Sequence, residues 1–221
     1  MPDADLFAAE RRAMVAQQLR ARGIRDPRVL EAMGAVPRHL FVPPESISLA
    51  YSDHPLSIGH GQTISQPFMV AAMTEALELR GDERVLEVGA GSGYQAAILA
   101  RLCRQVVALE IEARLAESAV RRLAQLGFAN ILLLPGDASG GYSAEAPYDG
   151  IVVSAAARSV PRPMLEQLAE GGRLLIPVGP AENQELLRFR RSGNRWDRAA
   201  LHECRFVPLL GRHGQQEEQA P

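Results

Sequence analysis

Continuous apolar runs alternate with amphipathic stretches from residue 84 to residue 179. The runs are short and rich in Val, Leu and Ile: RVLEVG, QVVALE, NILLLPGD, YDGIVVSA and RLLIPVG. Between them, apolar positions recur at helical spacing in GYQAAILARLC, RLAESAVRRLAQLG and RPMLEQLAEGG, the last predicted to end at its paired glycines. Strands that are apolar throughout are typical of a parallel sheet covered on both faces. The pattern predicts a doubly wound α/β fold of the Rossmann-like class with a mostly parallel sheet.

Helical signals also precede this region. Residues 7–22 have apolar positions at helical spacing and end at Gly23, and a second helix is predicted from Asp26, as N-cap, with a proline at its first position. Residues 37–67 are rich in Pro, Gly, Ser and His, and they predict an irregular segment whose apolar content argues against disorder. From Pro67, a further helix of about three turns is expected from its apolar spacing.

The end of the chain has a different pattern. ELLRFRR and LHECRFVPLL are strand-like and are joined by a Ser-Gly-Asn turn, which predicts a hairpin added antiparallel to one edge of the sheet. We expect a single domain over residues 1–221. It would have an N-terminal helical elaboration at 1–67, a Rossmann-like core at 68–211 and a polar, disordered tail at 212–221.

Composition narrows the possible partners. Hydrophobic residues make up 47% of the chain and the formal net charge is −2, so no basic surplus is available for a nucleic-acid backbone and no nucleic-acid partner is expected. All 24 basic residues are Arg, which excludes a P-loop lysine and a Schiff-base lysine. Cys103 and Cys204 lie in no metal-ligand pattern, so we expect a metal-free protein with reduced thiols.

Targeting signals do not stand out in the sequence. The first residues lack the basic and apolar regions of a signal peptide, and no stretch reaches the roughly 18 apolar residues of a membrane span. We therefore expect a cytoplasmic protein without membrane association. The small size favours a monomer.

A glycine-rich loop connects the first strand of the core to the following helix. In VLEVGAGSGYQAAILA, Gly89, Gly91 and Gly93 allow the backbone to approach a ligand, which the free amides of the helix start would face. Tyr94 stands where a dinucleotide fingerprint would have its third glycine. The spacing therefore disfavours a nicotinamide dinucleotide and favours a methyl-donor nucleoside.

Three acidic residues end three successive strands. Glu87 ends the first strand, and Glu110 ends the second, where a carboxylate can accept hydrogen bonds from both ribose hydroxyls. Asp137 ends the third, in a position to reach an adenine amino group. Single glycines and strand-end acids are often only turn or cap residues. Together and in this order, these residues predict S-adenosylmethionine as the cofactor.

Several longer segments are more specific than the glycine loop. They are MVAQQLRARGIRDPRVLEAMGAVPRHLFVP, IGHGQTISQPFMVAAMTEAL, VLEVGAGSGYQAAILA, PYDGIVVSAAA, LAEGGRLLIPVG and RFVPL. Over nearly its whole length the chain thus resembles the protein-L-isoaspartate O-methyltransferase family. The glycine loop is common to methyltransferases of this fold, whereas GQTISQP with its VPRHLFVP lead-in carries the resemblance.

The resemblance implies an enzyme that transfers the methyl group of S-adenosylmethionine to the free carboxylate of L-isoaspartyl residues in damaged proteins and peptides. The methyl ester would close to a succinimide and so begin repair to aspartate. The implied active-site residue is Ser65, with Thr63 beside it, and Val207, Pro208 and Leu209 are implied to lie near the substrate backbone. The implied cofactor contacts are Glu87, Gly89, Gly91, Glu110, Asp137 and Ala138, and Gly93 completes the loop.

Ser65 has two possible roles. A carboxylate nucleophile is ionised at neutral pH and needs no general base, so Ser65 would orient the carboxylate by a hydrogen bond. A serine at this position could instead cap the helix that starts near Pro67. Two positions depart from the family pattern, namely Ala138 where many members have Gly and Arg158 where many have Pro, and we expect altered affinity at most.

Two other functions stay open on the residues alone. A methyltransferase of the same fold could act on RNA or a small molecule, although the chain has no N-P-P-Y motif and neither cysteine follows a proline. A non-catalytic protein could have kept the cofactor pocket, although the intact Thr-Ile-Ser segment argues against it. A serine hydrolase is excluded, because no G-x-S-x-G surrounds Ser65 or Ser92.

Overall fold

The computed structural model describes residues 7–214. Its strands are β1 (Leu56–Gly59), β2 (Gln62–Ile64), β3 (Arg84–Val88), β4 (Gln105–Glu110), β5 (Ile131–Pro135), β6 (Tyr148–Val153), β7 (Leu168–Val178), β8 (Gln184–Ser192) and β9 (Arg195–Cys204). Strands β3 to β9 form one sheet in the order β5-β4-β3-β6-β7-β8-β9, and β1 and β2 form a separate hairpin. Strands β3 to β7 are parallel, and β8 and β9 continue the sheet antiparallel. The predicted mostly parallel sheet with an antiparallel C-terminal hairpin is confirmed.

The helices pack around this sheet. They are α1 (Ala8–Ala13), α2 (Pro27–Ala35), α3 (Pro67–Ala76), α4 (Tyr94–Ala100), α5 (Ala113–Gln125) and α6 (Arg162–Glu166). A π-helical turn and a 3-10 turn extend α1 as far as Gly23, whose φ of 101° ends the helix. Asp26 caps α2 as predicted, because its carboxylate accepts the backbone N–H of Arg28 at 2.8 Å.

The sheet is buried on both faces. Along β3, Val85 belongs to one apolar cluster and Leu86 to the other, because successive side chains of a strand point to opposite faces. The first cluster joins Met14 and Met33, from the N-terminal helices, with Ile98 of α4. The N-terminal helices are therefore part of the main core, and burial on two sides explains why the strands are apolar throughout.

The position of the candidate site follows from the strand order. Strands β4 and β5 lie on one side of β3, and β6 and β7 lie on the other. At such a reversal the loops that leave the strands diverge, and α/β proteins bind ligands in the crevice between them. The loops after β3, β4, β5 and β6 therefore border the candidate site.

The segment 37–67 is more regular than predicted. It contains 3-10 helices at Arg38–Phe41 and Pro44–Leu49, followed by the β1–β2 hairpin. The sequence pattern does not predict this hairpin, because its strands have only four and three residues and too little alternation to register as strands.

The predicted helix over RPMLEQLAEGG is wrong in its second half. α6 ends at Glu166, and the paired glycines lie inside β7, where the pairing with β6 is irregular. Gly171 has a φ of 74°, and a Cβ on Gly172 would lie 2.9 Å from two backbone oxygens. The glycines therefore allow a bulge and a close approach of two backbones, and they do not end a helix.

The second strand of the C-terminal hairpin also differs from its prediction. The Ser-Gly-Asn turn joins β8 to β9 as expected, but β9 ends at Cys204, and residues 205–210 of the predicted strand leave the sheet. The side chain of Gln184 binds the backbone where the chain leaves the sheet. Its side chain accepts the N–H of Phe206 at 2.7 Å and donates to the carbonyl of the same residue at 3.2 Å. A side-chain amide thus replaces the next rung of the backbone ladder.

The predicted disordered tail is 212–221, and its residues from 215 onward lie outside the described residues. Its first two residues are held in place. The backbone N–H groups of Arg212 and His213 donate to side chains in the loop after β5, at 2.8 and 2.9 Å. The boundaries of the three parts proposed for the chain stay a prediction.

Neither a membrane span nor a metal cluster occurs within the described range. No helix there is long and apolar enough to cross a bilayer. No group of His, Cys, Asp and Glu residues within 7–214 could hold a metal ion. Cys103 and Cys204 are free thiols, and burial raises their pKa values to about 12 and about 11, so neither is a thiolate at neutral pH.

Candidate functional site

The loop between β3 and α4 turns through glycines with positive φ. Gly89, Gly91 and Gly93 have φ values of 83°, 53° and 87°, which are strained for most L-residues but not for glycine. The backbone N–H groups of Gly89 and Ala90 both donate to the carbonyl of Leu109 in β4, at 2.9 and 3.1 Å. These bonds tie the loop to the neighbouring strand, and Gly89 and Gly91 line a crevice beside it.

Glu110 supports the glycine loop from the end of β4. Its Oε2 accepts the N–H of Gly91 at 2.7 Å, and its Oε1 accepts the N–H of Glu112 at 2.9 Å. Glu110 is only 4% exposed, yet it lines the crevice. Because a carboxylate has about four lone-pair sites, it can accept hydrogen bonds from ligand hydroxyls while it holds both amides.

Glu87 is buried beneath the same loop. It is 1% exposed, and its Oε2 has no hydrogen-bond partner among the described residues. Burial, and secondly the negative charge of Glu110, raise the pKa of Glu87 well above its ordinary range. Glu87 does not line the crevice, and its buried Oε2, just before the glycine loop in the chain, has no partner among the described residues.

Replacing Glu87 with glutamine is expected to stabilise the ligand-free protein, and more so at higher pH. A carboxyl group whose pKa is raised by folding favours the folded state fully below the pKa of the unfolded chain, and this contribution is lost as pH rises through the folded pKa. Glutamine does not titrate and avoids this loss. The gain in Tm should widen from about pH 5 to about pH 8. Glu117→Gln, at an exposed position of α5, is the control, and a gain that stays constant with pH would contradict the prediction.

A crevice lies at the carboxyl ends of β3, β4, β5 and β6. The predicted site residues that line it are Thr63, Gly89, Gly91, Glu110, Ala138, Val207, Pro208 and Leu209. The predicted site residues that do not line it are Ser65, Glu87, Gly93 and Asp137. The structure thus brings the glycine loop, one strand-end acid, the threonine of the TIS segment and the late VPL segment to one place.

The β1–β2 hairpin covers the glycine loop. A Cβ on Gly91 would lie 3.2 Å from Cδ1 of Ile58, so the hairpin and the loop are in close contact. At the tip of the hairpin, Nδ1 of His60 lies 3.9 Å from Oε1 of Glu112, at the start of α5. Through these contacts Thr63 of β2 reaches the wall of the crevice.

Ser65 lies between β2 and α3 and is half-buried. The N-cap position of α3, Gln66, makes no side-chain cap. The helix start is instead bound by Asp53, whose Oδ1 accepts the N–H of Phe68 at 3.1 Å. The capping role that the sequence allows for Ser65 is therefore filled by another residue.

Asp137 is held by backbone amides. Its two carboxylate oxygens accept the N–H groups of Ser139 and Arg212, each at 2.8 Å. Burial alone would raise the pKa of Asp137, but these amides and the Ser139 hydroxyl outweigh it and hold the pKa below its ordinary range. The carboxylate joins the loop after β5 to the end of the described chain, and its predicted contact with adenine stays a prediction.

The VPL segment is fixed by the loop after β6. Ala156 donates its N–H to the carbonyl of Val207 and accepts the N–H of Leu209, both at 2.8 Å. This bridge places residues 207–209 across the carboxyl ends of the strands, on the crevice wall. Of the two departures from the family pattern, Ala138 also lines the crevice, whereas Arg158 is exposed outside it.

Sequence reasoning missed several residues that line the crevice. They include the polar residues Gln62, Ser139 and Ser154 and the exposed apolar residue Ile111. Ser154 directly follows β6, and the general rule that ligands bind at carboxyl ends of parallel strands could have identified it. Gln62 could not be found in this way, because only the hairpin brings it to the crevice.

These features fit S-adenosylmethionine. Glu110 offers a carboxylate to ribose hydroxyls, and the glycine loop brings backbone close to the ligand without side chains in between. The cofactor carries a sulfonium and an ammonium group, and the buried Oε2 of Glu87, which has no partner among the described residues, is an acceptor that suits a cationic ligand. The exposed face of Ile111 adds an apolar surface for a base.

Comparison with known proteins agrees with this fit. The model of the family "Protein-L-isoaspartate(D-aspartate) O-methyltransferase (PCMT)" matches residues 9–214. A protein-L-isoaspartate O-methyltransferase of Methanoculleus marisnigri is 51% identical over 99% of this chain and 100% of its own length, and one of Roseiflexus sp. is 54% identical over 97% and 98%.

A solved structure from Plasmodium falciparum, described as a protein-L-isoaspartate O-methyltransferase beta-aspartate methyltransferase in complex with S-adenosyl-L-homocysteine, also resembles the chain. It superposes with a TM-score of 0.76 at 26% identity, over 90% of this chain and 98% of that one. The family match spans nearly all described residues, and the relatives match from end to end. The chain therefore belongs to the protein-L-isoaspartate(D-aspartate) O-methyltransferase family, and its cofactor is S-adenosylmethionine.

Proposed function

We propose that the chain methylates the free carboxylate of L-isoaspartyl residues in damaged proteins and peptides, and that Ser65 orients this carboxylate. The observation that carries the proposal is the meeting of two segments at one crevice. Thr63, two residues before Ser65, and the VPL segment line the same crevice as Glu110 and the glycine loop. A substrate carboxylate and a methyl donor can therefore lie side by side there.

The residues of the site suit a reaction without a general base. S-adenosylmethionine supplies, when bound, a methyl group activated by its sulfonium. The carboxylate that attacks is ionised at neutral pH, since its ordinary pKa is near 4. Among the described residues, no histidine lines the crevice, and His39 is buried in a hydrogen bond with Tyr51. The task left to the protein is to position the carboxylate and to exclude water.

Ser65 is suited to positioning because its hydroxyl is not needed by the neighbouring helix. Asp53 binds the first free amide of α3, so the Ser65 hydroxyl can donate to a substrate oxygen. Thr63, two residues earlier in β2, is exposed and forms part of the crevice wall. Both hydroxyls would contact the substrate, and neither acts as a nucleophile.

The product chemistry makes the reaction a repair step. The methoxy group of an ester leaves far more readily than an oxygen of a carboxylate. The nitrogen of the following backbone amide therefore attacks the ester carbonyl, closes a succinimide and releases methanol, which takes up the amide proton. Hydrolysis of the succinimide gives normal aspartyl in part and isoaspartyl in part, which can be methylated again. The enzyme therefore needs no second active site for repair.

Residues 205–210 offer a main-chain surface to the substrate. The Val207 carbonyl and the Leu209 N–H point to Ala156. Backbone groups alternate along an extended segment, so the carbonyl of Pro208 is directed to the opposite side. Damage sites share no sequence, and recognition through the substrate's main chain, as in strand addition, suits such a substrate class. From its size and its net charge of −2, we also propose that the protein works as a monomer on protein and peptide substrates, without nucleic acid.

The test uses two synthetic peptides that are identical except for one aspartyl or isoaspartyl residue, with methyl-labelled S-adenosylmethionine. Base-labile label is expected on the isoaspartyl peptide alone. Ser65→Ala should lower kcat by about 10- to 100-fold, because one orienting hydrogen bond is lost. Ser192→Ala is the matched control, since Ser192 is exposed beside the hairpin turn, at the end of the sheet away from the crevice.

Other outcomes would decide between the remaining functions. Label on neither peptide, with cofactor binding intact, would contradict isoaspartyl methylation and favour a binding protein or a methyltransferase with an RNA or small-molecule substrate. A normal kcat for Ser65→Ala on the isoaspartyl peptide would leave the activity but remove the role of Ser65.

A further inference from the structure

We propose that Asp53 is a positioning residue for Ser65. The inference rests on the proposed role of Ser65 and extends it to a residue outside the crevice. Asp53 lies in the turn before the β1–β2 hairpin, and it does not line the crevice. It would act by keeping the start of α3 occupied, so that the Ser65 hydroxyl remains available to the substrate.

Asp53 connects three parts of the chain. Its Oδ1 accepts the N–H of Phe68, the second residue of α3, at 3.1 Å. Its Oδ2 forms an ion pair with Nη1 of Arg22, at the end of the first helical segment. The Asp53 side chain is 22% exposed and the Arg22 side chain 43%, so solvent screens this ion pair.

Arg22 and Phe68 complete the cluster. The guanidinium carbon of Arg22 lies 3.6 Å from the centre of the Phe68 ring, a cation–π distance. His202 of β9 also contacts Phe68, and the two rings meet edge-on with their centres 5.4 Å apart. Phe68 is only 6% exposed. The first turn of α3 is therefore fixed by its side chain as well as by its amide.

Ser65 lies between two fixed points. On one side, Ile64 is buried and pairs with Leu56 in the hairpin. On the other side, Pro67 begins α3 with a locked φ, and Phe68 is held by Asp53. Only Ser65 and Gln66 stand between these anchors, so the position of the Ser65 side chain depends on both.

Because Asp53 and not Ser65 binds the start of α3, the Ser65 hydroxyl remains available to the substrate. Serine next to a helix start tends to bind the free amides of that helix. Asp53, 15 residues before Phe68, occupies the amide instead. Without Asp53, the free amide would compete with the substrate carboxylate for the Ser65 side chain, and the substrate would lose its orienting hydrogen bond.

The experiment compares Asp53→Ala with Asp53→Asn in the full chain. Alanine should lower kcat for the isoaspartyl peptide by about 10- to 100-fold with little change in KM, since misplacement acts on the reacting geometry. Asparagine keeps an acceptor for the Phe68 amide and should restore kcat to within about threefold of the wild type. The affinity for S-adenosylhomocysteine, measured by calorimetry, should stay within about twofold for both variants.

The matched control is Asp26→Ala, which removes the aspartate cap of α2. Loss of either cap should lower Tm by about 2 to 4 °C, but only Asp53→Ala should lower kcat. If Asp53→Ala does not fold, Asp53→Ser replaces it, because serine stays polar but withdraws the acceptor by one bond.

A double-mutant cycle with Ser65→Ala separates the two hypotheses. If Asp53 acts through Ser65, Asp53→Ala should lower kcat by less than about threefold in the Ser65→Ala background. An undiminished effect there, or a kcat for Asp53→Ala equal to that of Asp26→Ala, would overturn the inference and leave the role of Ser65 standing. A normal Ser65→Ala enzyme would remove the role of Ser65, and this inference with it.

Discussion

Glu110→Ala is expected to weaken the binding of S-adenosylhomocysteine by at least about 100-fold. Hydrogen bonds to a charged carboxylate contribute about 1.5 to 3 kcal/mol each, and two ribose hydroxyls would lose theirs. The substitution also frees the N–H groups of Gly91 and Glu112, which Glu110 holds at 2.7 and 2.9 Å. The glycine loop would then lose the support that shapes the crevice. Isothermal titration calorimetry with S-adenosylhomocysteine measures the change.

The control for this prediction is Glu117→Ala on α5. Glu117 lies in an exposed ion pair with Arg121, 3.9 Å apart, and does not border the crevice. Its replacement should leave the affinity unchanged and should alter stability by less than about 0.5 kcal/mol. An affinity of Glu110→Ala within about threefold of the wild type would show that the strand-end carboxylate does not bind the cofactor.

Leu86→Ala is expected to cause the largest loss of stability. Leu86 lies in the interior strand β3, opposite Val107 on one side and Ile151 on the other, and it is 0% exposed. Truncation of a fully buried leucine costs about 3 to 5 kcal/mol, because burial is lost and the packed neighbours cannot fill the cavity. For a chain of this size Tm should fall by about 6 to 20 °C, as followed by circular dichroism.

A leucine in the same sheet provides the control. Leu132 of the edge strand β5 also lies opposite Val107, but it is 37% exposed. Leu132→Ala should cost less than about 1 kcal/mol. Equal losses for the two variants would mean that the centre of the sheet is not packed more tightly than its edge.

Local sequence patterns were sufficient to predict most of the helices and strands. The apolar strands, the cap at Asp26 and the stop at Gly23 each depend on residues that are close in sequence. Burial on both faces makes a parallel strand apolar throughout, so a short apolar run that is rich in Val, Leu and Ile and bounded by turn residues identifies it. The glycine loop and Glu110 could also be predicted as parts of one site, because the carboxyl ends of parallel strands meet at one edge of the sheet.

The errors arose where a distant segment decides the local structure. The paired glycines resemble a helix end, but position 172 needs a glycine because a Cβ there would clash with the backbone oxygens of residues 148 and 169. The predicted strand at 205–210 leaves the sheet because the side chain of Gln184 takes over its hydrogen bonds. The β1–β2 hairpin is too short to have a pattern of its own and is held by contacts with the glycine loop.

The sequence by itself determined the fold class, the glycine loop, the acid at the end of β4 and the family. Only the tertiary structure decided which of these residues reach the crevice. Glu87 does not line it, and the Oε2 of Glu87 has no partner within residues 7–214. Asp53 binds the helix start that Ser65 could have capped. Secondary structure and strand-end positions depend on local periodicity, whereas the partner of a buried carboxyl group depends on segments that meet only after folding.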